Sequence, residues 1–92
     1  MITETQFSLL HALLDSTDLA YLAMVVRARG DKGSGALCIV APPSSTLVIY
    51  GLIVESTDET ARPSVRHGWR PTALGIELQD AIIAKQTRET RL

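Results

Sequence analysis

The stretch GWRPTALGIEL, residues 68–78, is predicted to join a β-strand to an α-helix. Thr72 suits the N-cap of that helix, because a threonine hydroxyl accepts hydrogen bonds from backbone N–H groups of the first turn. Leu74, Leu78 and Ile82 then recur every four residues, the spacing of one helical face. We therefore expect the C-terminal part of the chain to form one amphipathic helix.

A strand pair is predicted directly before this helix. The run 46–55 is rich in β-branched residues and is predicted as one strand, with the alternating run 64–71 as its partner. The polar segment 56–63 between them predicts a long turn. Together these segments indicate a β-hairpin.

Two helices are predicted at the N-terminal end. Thr3 and Gln6 have the spacing of a capping box, which begins the first helix. The segment DSTD, residues 15–18, ends that helix and caps a second one, predicted from Asp18 to about Arg29.

The middle of the chain is less well defined by its pattern. Gly30 suits the position after the second helix, and the segment 31–35 is predicted as a connector. The apolar run 36–41 is short enough to be either a buried helix or a buried strand, and both alternatives stay open.

The composition is that of one small globular domain, residues 1–92. Apolar residues make up 46% of the chain but aromatic residues only 4%, so the core must be aliphatic. A small domain with this much aliphatic surface favours a homodimer. The first and last helices are the expected dimer surfaces, although their apolar faces can equally line the core of the monomer.

The compartment is predicted from cysteine content and hydropathy. A lone cysteine, Cys38, excludes an intrachain disulfide and a thiolate-rich metal site. The N-terminal residues do not resemble a signal peptide, and the apolar runs 19–26 and 47–54 are too short to span a bilayer. We expect a cytoplasmic protein without a membrane partner.

Charge is distributed unevenly along the chain. The net charge is −1, but residues 1–61 carry −4 and residues 62–92 carry +3. Between Arg62 and Pro71 there are three arginines, one histidine and no acidic residue. The net charge argues against general coating of nucleic acid, whereas the local excess favours a contact with a negative surface.

The order helix, helix, apolar segment, hairpin, helix is similar to that of a winged-helix domain. GLIVES, residues 51–56, resembles the start of the wing strand in MarR-like and PadR-like regulators, and GWRPTALGIEL resembles their strand-to-helix junction. The resemblance implies an α+β fold with a β-hairpin wing. It further implies that Gly75, which has no side chain, lets the last helix pack closely against this wing. It also implies a DNA-binding transcriptional regulator.

The resemblance fails where such regulators read DNA. Their recognition helix of about three turns precedes the wing and enters the major groove. Here Gly51 follows Thr46 by only five residues, and the residues LVIY offer no side chain that reads base edges. The sequence predicts that this helix is missing, truncated or replaced.

The candidate contacts with phosphate are the basic side chains of the predicted wing: Arg62, Arg66, His67 and Arg70. The alternative is a solvated hairpin surface whose cations pair with the acidic residues Asp58 and Glu59. Trp69 either stacks on a base or packs against a neighbouring helix, and packing is the commoner role for such a residue.

Enzymatic chemistry, a metal and a cofactor are not expected. His11 and His67 have no cysteine or carboxylate at the spacing of metal ligands, and the apolar run around Cys38 does not activate a thiol. The leading hypothesis is a small dimeric DNA-binding regulator that grips the phosphate backbone through its wing. The alternative is a winged-helix-like protein-interaction module, an adaptor or a phage-type inhibitor, that binds an acidic protein surface and not DNA.

Overall fold

The computed structural model describes residues 2–29, 37–60 and 62–90. Its elements follow in the order α1 (Glu4–Leu13), α2 (Ser16–Arg29), α3 (Thr46–Ile49), β1 (Ile53–Thr57), β2 (His67–Pro71) and α4 (Ala73–Thr90). This is an α+β fold, and the predicted order of helix, helix, apolar segment, hairpin and helix is confirmed. The predictions for Gly30 and the connector 31–35 concern positions outside the described residues.

The start of α1 is formed as the sequence predicts. The Thr3 hydroxyl accepts a hydrogen bond from the backbone N–H of Gln6 at 3.1 Å, and the Gln6 side chain accepts one from the N–H of Thr3 at 2.9 Å. Both halves of the capping box are therefore present.

The start of α2 differs from the prediction by two residues. The helix begins at Ser16 rather than at Asp18, because the Asp15 carboxylate accepts a hydrogen bond from the N–H of Asp18 at 2.8 Å. Asp18 thus lies inside the first turn, where its carboxylate is buried and the helix dipole favours a negative charge.

The prediction of one strand over residues 46–55 is wrong in its first part. Thr46–Ile49 forms the single turn of α3, and β1 begins only at Ile53. Gly51 separates them with a φ of 71°, in the left-handed region that favours glycine. Leucine, valine and isoleucine fit a buried helical turn as well as a strand, so their composition did not distinguish the two.

The second strand of the hairpin begins further along the chain than the sequence predicts. β1 pairs antiparallel with β2, from Ile53 opposite Pro71 to Thr57 opposite His67. The predicted strand start at residue 64 is replaced by a 3₁₀ turn, Pro63–Val65, because Pro63 supplies the fixed φ of a helical first position.

The apolar segment left open between helix and strand forms a β-bridge at a single residue. The Cys38 N–H donates to the Trp69 carbonyl at 3.1 Å, and the Trp69 N–H donates to the Cys38 carbonyl at 2.8 Å. β2 therefore lies in the middle, with Cys38 on one side and β1 on the other.

The core is mainly aliphatic but also contains the aromatic rings of Phe7 and Tyr21, and it lies where α2 and α4 pack against the hairpin. Its most deeply buried side chains come from α2, from α3 and the start of β1, and from α4: Leu22, Val25, Leu47, Leu52, Ile53 and Leu78. α4 begins as predicted, since the Gly75 N–H donates to the Thr72 hydroxyl at 3.1 Å.

α1 covers the other end of α4. The Lys85 ammonium lies 5.2 Å from the centre of the Phe7 ring, and the His11 ring stacks on the same ring at 5.4 Å. Leu9 and Leu13 of α1 instead lie on the surface, 61% and 51% exposed. The apolar residues of α1 are thus divided between the core and solvent.

Among the described residues no single helix is long and apolar enough to cross a membrane. Only α1 and α2 taken together reach that length and composition, and the chain bends by 116° between them.

Candidate functional site

The hairpin carries all of the basic residues that the sequence nominated, but it does not gather them on one face. Arg62, Arg66 and His67 are exposed around the turn between the strands, whereas Arg70 is half-buried within β2. His67 stands opposite Thr57 and Arg70 opposite Val54. Because successive strand residues point to opposite faces, the His67 and Arg70 side chains leave the sheet on opposite sides.

Acidic residues of the same hairpin accompany this positive charge. Asp58 accepts hydrogen bonds from the Thr60 hydroxyl at 2.6 Å and the Thr60 N–H at 3.0 Å. These bonds hold the pKa of the Asp58 carboxyl below its usual value, and the nearby Arg70 charge lowers it further. The charge of Arg70 therefore acts on the Asp58 carboxylate, although the hydrogen bonds from Thr60 affect that carboxyl more strongly.

The hairpin as a whole is electrically balanced. Residues 53–71 contain three arginines and three acidic residues, Glu55, Asp58 and Glu59. Positive charge dominates only at the far side of the turn, around Arg62 and Arg66. The excess of positive charge is therefore confined to the tip of the hairpin and does not extend along it.

Trp69 serves mainly the packing of the domain. Its side chain is half-buried and packs against the core, and both of its backbone groups bond to Cys38. A tryptophan held in this way is not a free platform for stacking on a base. The packing role, which the sequence favoured, agrees with this position.

α3 presents the more unusual surface. Val48, Ile49 and Tyr50 are consecutive and exposed by 40%, 71% and 40%. Their neighbours Leu47 and Leu52 are fully buried, and the Leu52 N–H donates to the Leu47 carbonyl at 2.9 Å. A run of exposed apolar residues on a well-anchored turn is typical of a surface that contacts another molecule.

Polar contacts fix the position of α3 relative to α2. The Ser44 hydroxyl donates to the buried Asp18 carboxylate at 3.2 Å and lies 3.0 Å from the Thr46 hydroxyl. The N–H of Thr46 donates to the Ser44 hydroxyl at 3.3 Å. This network ties the first residue of α3 to the first turn of α2.

A second contact holds the segment before α3. The Tyr21 hydroxyl on α2 donates to the Val40 carbonyl at 2.5 Å. Burial raises the pKa of the Tyr21 hydroxyl far above its usual value, and the neighbouring Cys38 adds to this effect. The hydroxyl therefore stays protonated and acts as a permanent donor.

Sequence reasoning did not nominate the apolar residues of α3 as a site. The signal was present, since SST precedes LVIY and serine or threonine commonly begins a helix. Assigning the whole run to a strand hid the three exposed side chains at the end of α3, which are Val48, Ile49 and the C-cap residue Tyr50.

Comparison with known protein families, with characterised proteins and with solved structures finds no match for this chain.

Proposed function

We propose that the protein is a small cytoplasmic interaction module that binds another protein through the apolar surface of α3. The observation that supports this most directly is the exposure of Val48, Ile49 and Tyr50 on one anchored turn. Full burial of an exposed large aliphatic side chain releases about 1.5–3 kcal/mol, and burial of the part of Val48 or Ile49 that is still exposed releases a fraction of this. Tyrosine is moreover enriched among residues that dominate binding energy.

α3 also supports protein binding through its position in the chain. It lies directly before the hairpin, where the winged-helix resemblance would put a recognition helix. Its single turn, Thr46–Ile49, carries no arginine, lysine, asparagine or glutamine that could contact a base edge. An apolar turn fits an apolar depression on a protein surface far better than the major groove.

The experiment compares capture of partners by three proteins immobilised in the same way. Ile49→Asp introduces a charge on α3 at a position that is already exposed, so the fold is expected to persist. Met24→Asp places the same charge at an exposed apolar position on α2 and is the matched control. We expect a partner bound by the wild type and by Met24→Asp, but not by Ile49→Asp.

The captured partner is then purified and titrated against the same three proteins. A loss of at least about tenfold in affinity for Ile49→Asp alone supports the proposal. Equal affinities for all three proteins would assign the binding to another surface and reject it.

A second candidate function, backbone contact with DNA, is favoured by one observation. Arg62, Arg66 and His67 are all exposed around the turn of the hairpin. Two or three phosphate contacts from one copy give weak binding, which falls roughly 40-fold for three contacts between 50 and 200 mM salt. A dimer that doubles these contacts would lose roughly a thousandfold over the same range.

DNA binding is tested with a duplex of arbitrary sequence at increasing salt. Arg62→Ala combined with Arg66→Ala should weaken binding and flatten the salt dependence. The control, Arg27→Ala, removes an exposed arginine from α2. Absence of binding at low salt, or an unchanged slope in the double variant, would rule out this role.

A further inference from the structure

The register of the hairpin determines which backbone N–H and C=O groups of β1 have no hydrogen-bond partner in β2. The Asp58 N–H donates to the Arg66 carbonyl at 2.7 Å, and the Thr72 N–H donates to the Leu52 carbonyl at 3.0 Å. These two bonds lie at opposite ends of the register in which Ile53 faces Pro71. Residues 52, 54, 56 and 58 therefore direct their hydrogen-bonding groups towards β2.

Residues 53, 55 and 57 of β1 must therefore direct their N–H and C=O groups away from β2. The hydrogen bonds of Trp69 agree with this pattern. Trp69 stands opposite Glu55, and its backbone N–H and C=O groups both bond to Cys38, on the side of β2 that faces away from β1. Glu55 and Thr57 accordingly point their N–H and C=O groups outward. Within residues 2–29, 37–60 and 62–90, no hydrogen bond is found to these groups.

The outer edge of β1 is also accessible. Val54, Glu55 and Thr57 are all exposed, and Val54 is an aliphatic side chain at 48% exposure. α3, with its own exposed apolar residues, contacts the beginning of the same strand. The edge thus combines unsatisfied backbone groups with an apolar surface at one end.

We propose that the outer edge of β1 binds an extended segment of the partner protein, which adds a strand to the hairpin. The inference rests on the proposed role as an interaction module and specifies how the partner is held. Backbone groups of Glu55 and Thr57 supply the ladder hydrogen bonds, while side chains on the two faces select the sequence.

The chemistry of the edge defines the segment that it fits. Glu55 is exposed and acidic, so the residue opposite it is a lysine or arginine, since opposite charges on facing positions stabilise a strand pair. Val54 points to the other face, so the neighbouring residue of the segment is aliphatic. The partner segment therefore alternates a cation and an aliphatic residue.

The same charge disfavours a second copy of this chain as the occupant. Antiparallel pairing of two β1 strands centred on Glu55 places the two Glu55 carboxylates opposite each other. Centring the pair on Thr57 places Glu55 opposite Glu59, and centring it on Ser56 places each Glu55 opposite Thr57, so none of these registers gives the Glu55 carboxylate a cation to face. Like charges at facing positions destabilise a strand pair, and a charge on an edge strand is a common defence against self-pairing.

The test uses a short synthetic peptide in which valine alternates with threonine, with one arginine on the threonine face. Amide signals of isotope-labelled protein are followed by NMR during titration to about 1 mM peptide. We expect the amides of Glu55 and Thr57 to shift and to become protected from hydrogen exchange. In the free protein these amides should exchange faster than those of Val54 and Ser56.

Three modified peptides separate strand addition from unspecific adhesion and test its charge preference. N-methylation of the peptide N–H groups that face β1 should abolish binding, whereas N-methylation of the alternate positions should not. Replacing the peptide arginine by glutamate should weaken binding about fivefold. Glu55→Arg should reverse this preference, and the control Glu59→Gln should leave it unchanged.

Three results would overturn the inference: no shift at Glu55 and Thr57 at the highest concentration, equal binding of both N-methylated peptides, or pairing of β1 between two copies in sedimentation and NMR. Any of these leaves the Ile49-dependent capture untouched. Failure of the edge and failure of the α3 surface are therefore distinguishable.

Discussion

Gly75 of α4 lies so close to the carbonyl oxygen of Leu52 that a methyl group in place of its hydrogen would fall well inside 3.0 Å of that oxygen. The obstacle is backbone and cannot rotate away. The contact brings the first turn of α4 directly against the residue that precedes β1. The position of α4 relative to the hairpin therefore depends on the absence of one side chain.

Gly75→Ala is expected to lower the free energy of unfolding by about 2 kcal/mol, because overpacking outweighs the roughly 1 kcal/mol that alanine gains over glycine inside a helix. Gly51→Ala is the informative comparison, since no atom lies within 4 Å but φ is 71°. It should cost about 1 kcal/mol, and Gly51→Asn should cost less. Thermal unfolding measures all three, and a more stable Gly75→Ala protein would contradict the predicted clash.

The hydrogen bond between Ser44 and the Asp18 carboxylate should couple α3 to α2. Ser44→Ala is expected to destabilise the protein by about 1 kcal/mol and Asp18→Ala by about 2 kcal/mol, because the carboxylate is buried at the first turn of α2. A double-mutant cycle in urea should give a coupling energy of about 1 kcal/mol. Additive effects would show that the two side chains act independently.

The hydrogen bonds from Thr60 should control the titration of Asp58. Thr60→Val removes the hydroxyl donor, so the pKa of the Asp58 carboxyl should rise towards its usual value, and Arg70→Met should raise it less. Because the pKa in the folded state lies below that of the unfolded chain, this interaction stabilises the loop above about pH 4 and is lost as the pH falls through the folded pKa. NMR titration of the carboxyl carbon measures these values. An unchanged pKa in Thr60→Val would refute the assignment.

A homodimer is expected to use the exposed leucines of α1. Leu9 and Leu13 lie one helical turn apart, and replacing both by glutamate should raise the dimer dissociation constant at least about 100-fold. Met24→Glu alters another exposed apolar side chain, on α2, and serves as the control. Sedimentation equilibrium gives the masses. A wild-type monomer at micromolar concentration would contradict the expectation.

The features that the sequence predicted correctly depend on short-range chemistry. Thr3 with Gln6, and Thr72 with the amide of Gly75, form their caps within one turn, so the residue types suffice to recognise them. The starts of α2 and β2 were misplaced because several neighbouring residues can serve as the cap or the turn. Tertiary packing selects among them.

The candidate site was harder to predict because it depends on register and burial. The basic residues of the hairpin were recognised, but their division between two faces follows from the pairing of Val54 with Arg70 and of Thr57 with His67. The exposure of Ile49 follows from a helical turn whose inward position is taken by Leu47. Neither relationship is encoded in composition.

α3 has only one turn and is fixed at both ends, so additional helical turns can be inserted within it. Leu47 anchors its beginning, and Gly51 with Leu52 fixes its exit into β1. Inserting seven residues between Val48 and Ile49 would add about two turns, or roughly 10 Å, and change the helical phase by only about 20°. The scaffold on either side could then remain as it is, while the inserted residues, chosen freely, would decide what the longer helix recognises.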